Sequence, residues 1–254
     1  MRIGIIGNGR LGTALAEGFR RDGRHMVYLA YRSRPGRLEG VEAVRELPPV
    51  DVAILAVKPQ DVGEALRQHR SRLEGTPLVS TAAGVRLARL AEQVDGGPLA
   101  RAMPNICAAV GASTTVLCVQ DDDPEGTRLV EEVFGALGRT AVVPCAQEDQ
   151  LDAVTALSGS GPAYVYEVLH ALAEAGTALG LDPELARALA VETVRGAAAL
   201  AADRPAVPLD QLVRQVASPG GTTEAALGIL RDGDLKGLLG RAVSAAARRS
   251  ATLG

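Results

Sequence analysis

Along the first 144 residues the hydrophobic positions fall into short, branched runs, each bounded by Gly, Pro or Asp and followed by a stretch of helical periodicity. That alternation predicts βα units. The runs at 3–6, 26–31, 52–57 and 78–82 are nearly continuously apolar. Strands of this kind belong to a parallel sheet covered on both faces. A fifth strand is expected to end near 101–105, and 114–119 and 140–143 are expected to add edge strands. Helices are expected at 11–21, 61–73 and 124–137, with a turn cluster at 121–124.

From Gln147 the strand signal stops, and helical patterns follow at 148–157, 163–179, 183–202, 209–216, 222–230 and 235–252. Asp182 before Pro183 reads as an N-cap with proline at the first helical position, and Gly180 as a terminator. The expected class is therefore α/β: a doubly wound, mostly parallel sheet over 1–147, then an all-α domain over 148–254.

Composition narrows the function classes. With 47% hydrophobic and 22% charged residues the chain is an ordinary globular protein, so disorder is not expected. The apolar stretch at 3–6 is too short for a signal-peptide core. The longest uncharged run, 106–120, is broken by Gly111, Ser113, Thr114 and Thr115, short of the roughly 20 apolar residues of a membrane helix. A formal net charge of -3 without a basic stripe argues against nucleic acid. Cys107, Cys118 and Cys145 are odd in number and widely spaced, which fits a reduced, cytoplasmic chain better than a disulfide framework. His25, His69 and His170 are scattered too, so no metal is expected. Aromatics make up only 2%, and the alanine-rich last third implies helices packed closely on small side chains.

Gly7-Asn8-Gly9-Arg10-Leu11-Gly12 follows the first strand and opens a helix. In that context Gly7 permits a tight turn, Gly9 lets the backbone approach a pyrophosphate, and Gly12 lets helix and strand pack closely. The helix N-terminus adds unpaired N-H groups, which makes a Rossmann-type dinucleotide site the expectation over a ligand-free glycine turn. Where an NAD enzyme carries an acidic residue, this chain has Tyr31-Arg32-Ser33-Arg34. Arg32, Ser33 and Arg34 suit a 2′-phosphate, so NADPH is favoured over NADH. The alternative is that Arg32, Arg34 and Arg37 only solvate a surface turn.

The next strand ends carry Ala56-Val57-Lys58-Pro59-Gln60, Thr81-Ala82-Ala83-Gly84 and Arg101-Ala102-Met103-Pro104-Asn105. Three compact loops at the carboxyl edge of a sheet suggest a nicotinamide pocket. Asp152 to Tyr164 is expected to break a helix at its glycines and restart it at Pro162. Ser218-Pro219-Gly220-Gly221-Thr222-Thr223 feeds a helix N-terminus and reads as a carboxylate receptor, with simple capping as the alternative. The chemistry available is mild: a lysine and hydroxyls, with no His/Asp pair and no nucleophile beside a base. Hydride reduction of an already protonated imine needs little more than orientation.

Taken together, Ala56 to Gln60, Arg101 to Asn105, Asp152 to Tyr164, Ser218 to Thr223 and the closing Arg249-Ser250 resemble the pyrroline-5-carboxylate reductase family. The resemblance spans nearly the whole chain. It implies reduction of 1-pyrroline-5-carboxylate to L-proline with NADPH or NADH, the last step of proline biosynthesis. It also implies a helical domain that interlocks two subunits, with dimers assembling further into rings. Carried over by motif, Lys58, Ala82, Ala83, Gly84 and Asn105 border the cofactor, and Ser218, Gly220, Gly221, Thr222 and Thr223 hold the substrate carboxylate. Lys58, Thr155 and Thr223 are the implied catalytic candidates. The chain departs from the pattern at Leu11, Ser113, His170, Glu192 and Ala217, all outside the core motifs. The competing readings are a related NADP-dependent reductase of hydroxy acids or larger imines, and a non-catalytic dinucleotide-binding regulator.

Overall fold

The computed structural model describes residues 1–36, 38–120 and 123–253; Arg37, the Asp121 and Asp122 of the expected turn cluster, and Gly254 lie outside the described residues. Two compact units emerge, Met1–Pro162 with Val243–Gly254, and Ala163–Ala242. The composition changes near residue 147, whereas the first unit runs on to Pro162 and takes the chain back from Val243.

The first unit is built on one sheet of β1 (Arg2–Ile6), β2 (Met26–Ala30), β3 (Glu42–Val44), β4 (Val52–Leu55), β5 (Leu78–Ser80), β6 (Leu99–Met103), β7 (Ser113–Val119) and β8 (Gly138–Val142). Its order is β3-β2-β1-β4-β5-β6-β7-β8. All neighbours run parallel except β6 and β7. The expectation that 114–119 forms an edge strand is corrected: β7 is paired on both sides, and the edges are β8 and the short, half-exposed β3. β3 carries no apolar run, so hydrophobicity did not signal it.

Burial explains the continuous apolar runs. Ile3, Ile5, Val52 and Ile54 face one side of the sheet, where Leu15 and Phe19 of α1 (Arg10–Asp22) and Phe134 of α4 (Pro124–Gly135) cover them. Ile6, Ala53 and Leu55 face the other, under Leu66 of α2 (Val62–Leu73) and Leu90 of the single-turn α3 (Leu87–Ala91). Each such Ile, Leu or Phe contributes about 1.5–3 kcal/mol on leaving water. The doubly covered sheet fixes β1 between β2 and β4, where the strand order reverses and a crevice opens at the carboxyl ends.

The helix expected to break at its glycines between Asp152 and Tyr164 and to restart at Pro162 is interrupted at the Ser160 bend and restarts at Gly161. After α5 (Gln150–Val154) it widens into a π-helical turn, Thr155–Gly159, closed by the Ser160 N-H to the Thr155 carbonyl at 2.8 Å, and α6 (Gly161–Ala178) follows.

The second unit consists of most of α6, α7 (Pro183–Asp203), α8 (Leu209–Val216), α9 (Thr222–Asp232) and the start of α10 (Leu235–Ala251). Asp182 caps α7 as expected, accepting from the N-H groups of Glu184 and Leu185 at 3.0 and 3.2 Å. Ala186 and Ala190 are buried, while Val165, Leu172, Leu189, Ile229 and Leu238 remain exposed. A helical unit that leaves so many large aliphatic side chains in water presents an association surface.

Candidate functional site

At the crevice, the glycine loop shows three different constraints. Gly7 has φ +110°, and a Cβ there would fall 2.6 Å from the Ala56 carbonyl. A Cβ on Gly12 would fall 1.8 Å from the Gly7 carbonyl, so helix α1 rests directly on the turn. Around Gly9 nothing lies within 4 Å, which is the open approach a pyrophosphate needs. Gly9 also caps α1 without a side-chain bond, leaving the first-turn N-H groups of Arg10, Leu11 and Gly12 for an anion. The geometry fits a dinucleotide.

Beside the loop lies a cavity of about 300 Å³ whose walls bring together Gly7, Asn8 and Gly9, Tyr31 and Arg32, and Ala56, Val57 and Lys58. The Asn8 side-chain amide donates to the Arg34 carbonyl at 2.7 Å, tying the loop to the segment after β2. Ser33 and Arg34 are exposed there. Lys58 is exposed as well, held extended ahead of Pro59 at the start of a 3-10 turn, and makes no ion pair with any described residue.

The farther strand ends complete the edge of the sheet. After β5, Thr81 donates its hydroxyl to the Leu55 carbonyl at 3.0 Å, Ala82 is buried, and Gly84 takes φ +76° to turn the chain past Ala83. After β6, the Asn105 side chain accepts from the Cys107 N-H at 3.0 Å and donates to the Ser158 carbonyl at 3.1 Å. Its own N-H donates to Ser113 Oγ at 3.1 Å, which gives the unusual serine a structural task. Thr155, one turn before Ser158, donates its hydroxyl to the Leu151 carbonyl at 2.7 Å. Asn105 and the π-helical turn carrying Thr155 are thus joined, whereas Ala82, Ala83, Gly84, Asn105 and Thr155 do not line the cavity.

A charged cluster supports that turn from below. Arg101 is buried to 1% exposure and donates to Glu148 at 2.7 Å, and the same carboxylate oxygen accepts the Leu87 N-H at 2.8 Å. Arg86 donates to Asp152 at 2.9 Å. Close by, burial first, then Cys145 and Glu148, push the Cys118 thiol up to about 12. Cys118 is therefore protonated at neutral pH and no nucleophile.

In the second unit, Gly220 takes φ +71° and donates its N-H to Glu224 Oε2 at 2.6 Å, and the Gly221 N-H donates to the Ser218 carbonyl at 3.0 Å. A Cβ on Gly221 would fall 2.6 Å from Ser218 Oγ. The first-turn N-H groups of Thr222 and Thr223 are of the kind that can receive an anion, while that of Gly220 is taken by Glu224.

Comparison with known proteins now decides the family. A sequence model described as pyrroline-5-carboxylate reductase dimerisation matches residues 148–253, and one described as NADP oxidoreductase coenzyme F420-dependent matches residues 2–84. The chain is 38% identical to the pyrroline-5-carboxylate reductase of Arabidopsis thaliana, covering 99% of this chain and 95% of that one. It is 37% identical to that of Mycobacterium leprae, over 99% and 96%. This chain belongs to the pyrroline-5-carboxylate reductase family. Among solved structures, the reductase of Plasmodium falciparum with NADP bound superposes with a TM-score of 0.90 at 27% identity, covering 100% of this chain and 98% of that one. The Coxiella burnetii reductase gives 0.82 at 32%, over 99% and 98%.

Against this reductase frame, the sequence missed the carboxylates of the cavity. Arg32 Nη1 lies 3.1 Å from Glu64 Oε2 and 3.4 Å from Asp61 Oδ1. Tyr31 to Arg34 include no carboxylate, but α2 and the turn before it bring two to Arg32 from across the crevice. The buried His69 also lines the cavity, with its basicity lowered by burial. Its place on the α2 face next to Ala65 and Leu66 was the one available signal. Among the described residues no cluster of His, Cys, Asp and Glu could hold a metal ion, and no helix is long and apolar enough to cross a membrane.

Proposed function

We propose that this protein reduces the C=N bond of 1-pyrroline-5-carboxylate to give L-proline, with NADPH as hydride donor and NADH as the alternative. One observation carries the reading: likeness to a reductase of that name at 38% identity across 99% of the chain, with the glycine loop intact at its start. Residues 1–147 are read as the dinucleotide domain and 148–254 as the substrate and dimerisation domain. When bound, the nicotinamide supplies the hydride. The chain's part is to hold and orient.

In this reading Gly9 and the first turn of α1 receive the pyrophosphate, and Arg32, Ser33 and Arg34 receive the 2′-phosphate. Lys58, Ala56, Val57, Pro59, Ala82, Ala83, Gly84 and Asn105 border the dinucleotide. Ser218, Gly220, Gly221, Thr222 and Thr223 take the substrate carboxylate, and the Thr223 hydroxyl sits by the imine nitrogen. The imine already carries the proton that becomes the amine hydrogen, so no strong acid is required. The exposed aliphatic face of the helical unit and the dimerisation match support a homodimer, and a ring of dimers extends that reading. Three free cysteines support a cytoplasmic setting.

The test is a steady-state assay of the purified protein with 1-pyrroline-5-carboxylate and imines of other ring sizes, with each cofactor in turn. Oxidation of NADPH dependent on the five-membered imino acid is expected. No turnover with either cofactor removes the assignment.

A further inference from the structure

The Arg32 guanidinium, the group best suited to a 2′-phosphate, is not idle. It lies 3.1 Å from Glu64 Oε2 and 3.4 Å from Asp61 Oδ1, and all three residues line the cavity beside the glycine loop. The side chains of Arg32 and Glu64 are 61% and 57% exposed, so the pair adds little to stability. What it does decide is where the guanidinium points.

We propose that Glu64 is a specificity-determining residue that sets how strongly this protein distinguishes a 2′-phosphorylated dinucleotide from an unphosphorylated one. The inference rests on the dinucleotide reading of the cavity. A 2′-phosphate that takes Arg32 must draw it from Glu64, and it brings about two negative charges next to a carboxylate left without its partner. Both effects weaken binding of the phosphorylated ligand. A 2′-hydroxyl brings no charge and leaves the ion pair in place, and carboxylates near this position are able acceptors for such a hydroxyl. Glu64 therefore lowers discrimination against the unphosphorylated cofactor. Asp61 acts in the same sense from slightly farther away, and it also stands at the N-cap of α2, which makes Glu64 the cleaner residue to change.

The experiment measures calorimetric dissociation constants of 2′,5′-ADP and 5′-AMP on the full chain as wild type, Glu64→Gln, Arg32→Ala and the double variant. Glu64→Gln is expected to tighten 2′,5′-ADP roughly five-fold, with 5′-AMP unchanged or slightly weaker. In the Arg32→Ala background the same change should have less effect, because the competition for the guanidinium is gone. Both ligands binding with a ratio that Glu64→Gln leaves unmoved overturns the proposal while sparing the dinucleotide reading. Neither ligand binding the wild type overturns both. An unchanged thermal melt shows that the glutamine variant is folded.

Discussion

Ser250 Oγ donates a 2.7 Å hydrogen bond to Asp152 Oδ1, joining the last turn of α10 to α5 across 98 positions of the chain. Ser250 is 2% exposed and Asp152 9%, and the other carboxylate oxygen of Asp152 accepts from Arg86 at 2.9 Å. The C-terminal turn is thereby pinned to the helix that leads into the π-helical turn of Thr155. Ser250→Ala leaves a buried carboxylate oxygen without its donor and should cost about 1–3 kcal/mol. Denaturant midpoints at a fixed protomer concentration measure this, since association shifts apparent stability. A midpoint equal to that of the wild type means the pin holds nothing.

Gly9 and Gly12 sit three residues apart and should respond oppositely to alanine. A methyl on Gly12 collides with the Gly7 carbonyl at 1.8 Å, and relieving it means lifting α1 from β1. Overpacking of that kind costs about 3 kcal/mol and should show as a large drop in melting temperature. A methyl on Gly9 meets nothing within 4 Å, and its backbone, φ -71° and ψ -176°, suits alanine. Gly9→Ala should melt like the wild type and yet bind NADPH weakly, because the added methyl occupies the pyrophosphate's approach. Retained NADPH affinity in that variant removes the loop from the cofactor site.

These contrasts show what a sequence exposes. β1, β2 and β4 are legible because both faces of a central strand are buried, so Ile3 to Ile6 and Val52 to Leu55 admit no polar residue. The glycine loop is legible because its contacts are local and fixed by chain geometry. β3 is not, since three residues of an edge strand need only backbone pairing with β2. The Arg32 and Glu64 pair spans 32 positions, and only the crossover that places α2 beside the end of β2 brings them together. The π-helical turn at Thr155 was hidden for another reason: glycines and serines in a row signal the interruption at Ser160 but not the widened turn ahead of it, where Asn105 holds the Ser158 carbonyl.

His69 predicts a pH response in stability. Unfolded, its imidazole takes a proton near pH 6.5; folded, burial lowers that pKa, with Glu46 opposing the shift only in part. Between the two values the unfolded chain holds more protons, so stability falls as pH drops below about 6.5, by at most ~1.4 kcal/mol per pH unit from this group. Above pH 6.5 the contribution is flat. Urea midpoints followed downward from neutral pH should fall less steeply in His69→Asn than in the wild type. His25, also lowered by burial, keeps some slope in the variant. Parallel curves for the two proteins sink this account of His69.

Thr223 tests the substrate half of the reading. It is the second residue of α9, half-buried, and its hydroxyl has no hydrogen-bond partner among the described residues. Alanine there keeps the helix, because the Gly220 N-H to Glu224 bond and the Gly221 turn remain. A hydroxyl bonded to a charged imine is worth about 1.5–3 kcal/mol, so Thr223→Ala should lower kcat/KM for the imino acid roughly ten- to a hundred-fold. The NADPH dissociation constant should not move. Thr223→Ser restores the hydroxyl and should recover most of the rate, which a purely structural threonine has no reason to do. Equal losses in catalysis and in cofactor affinity place this bend somewhere other than at the substrate.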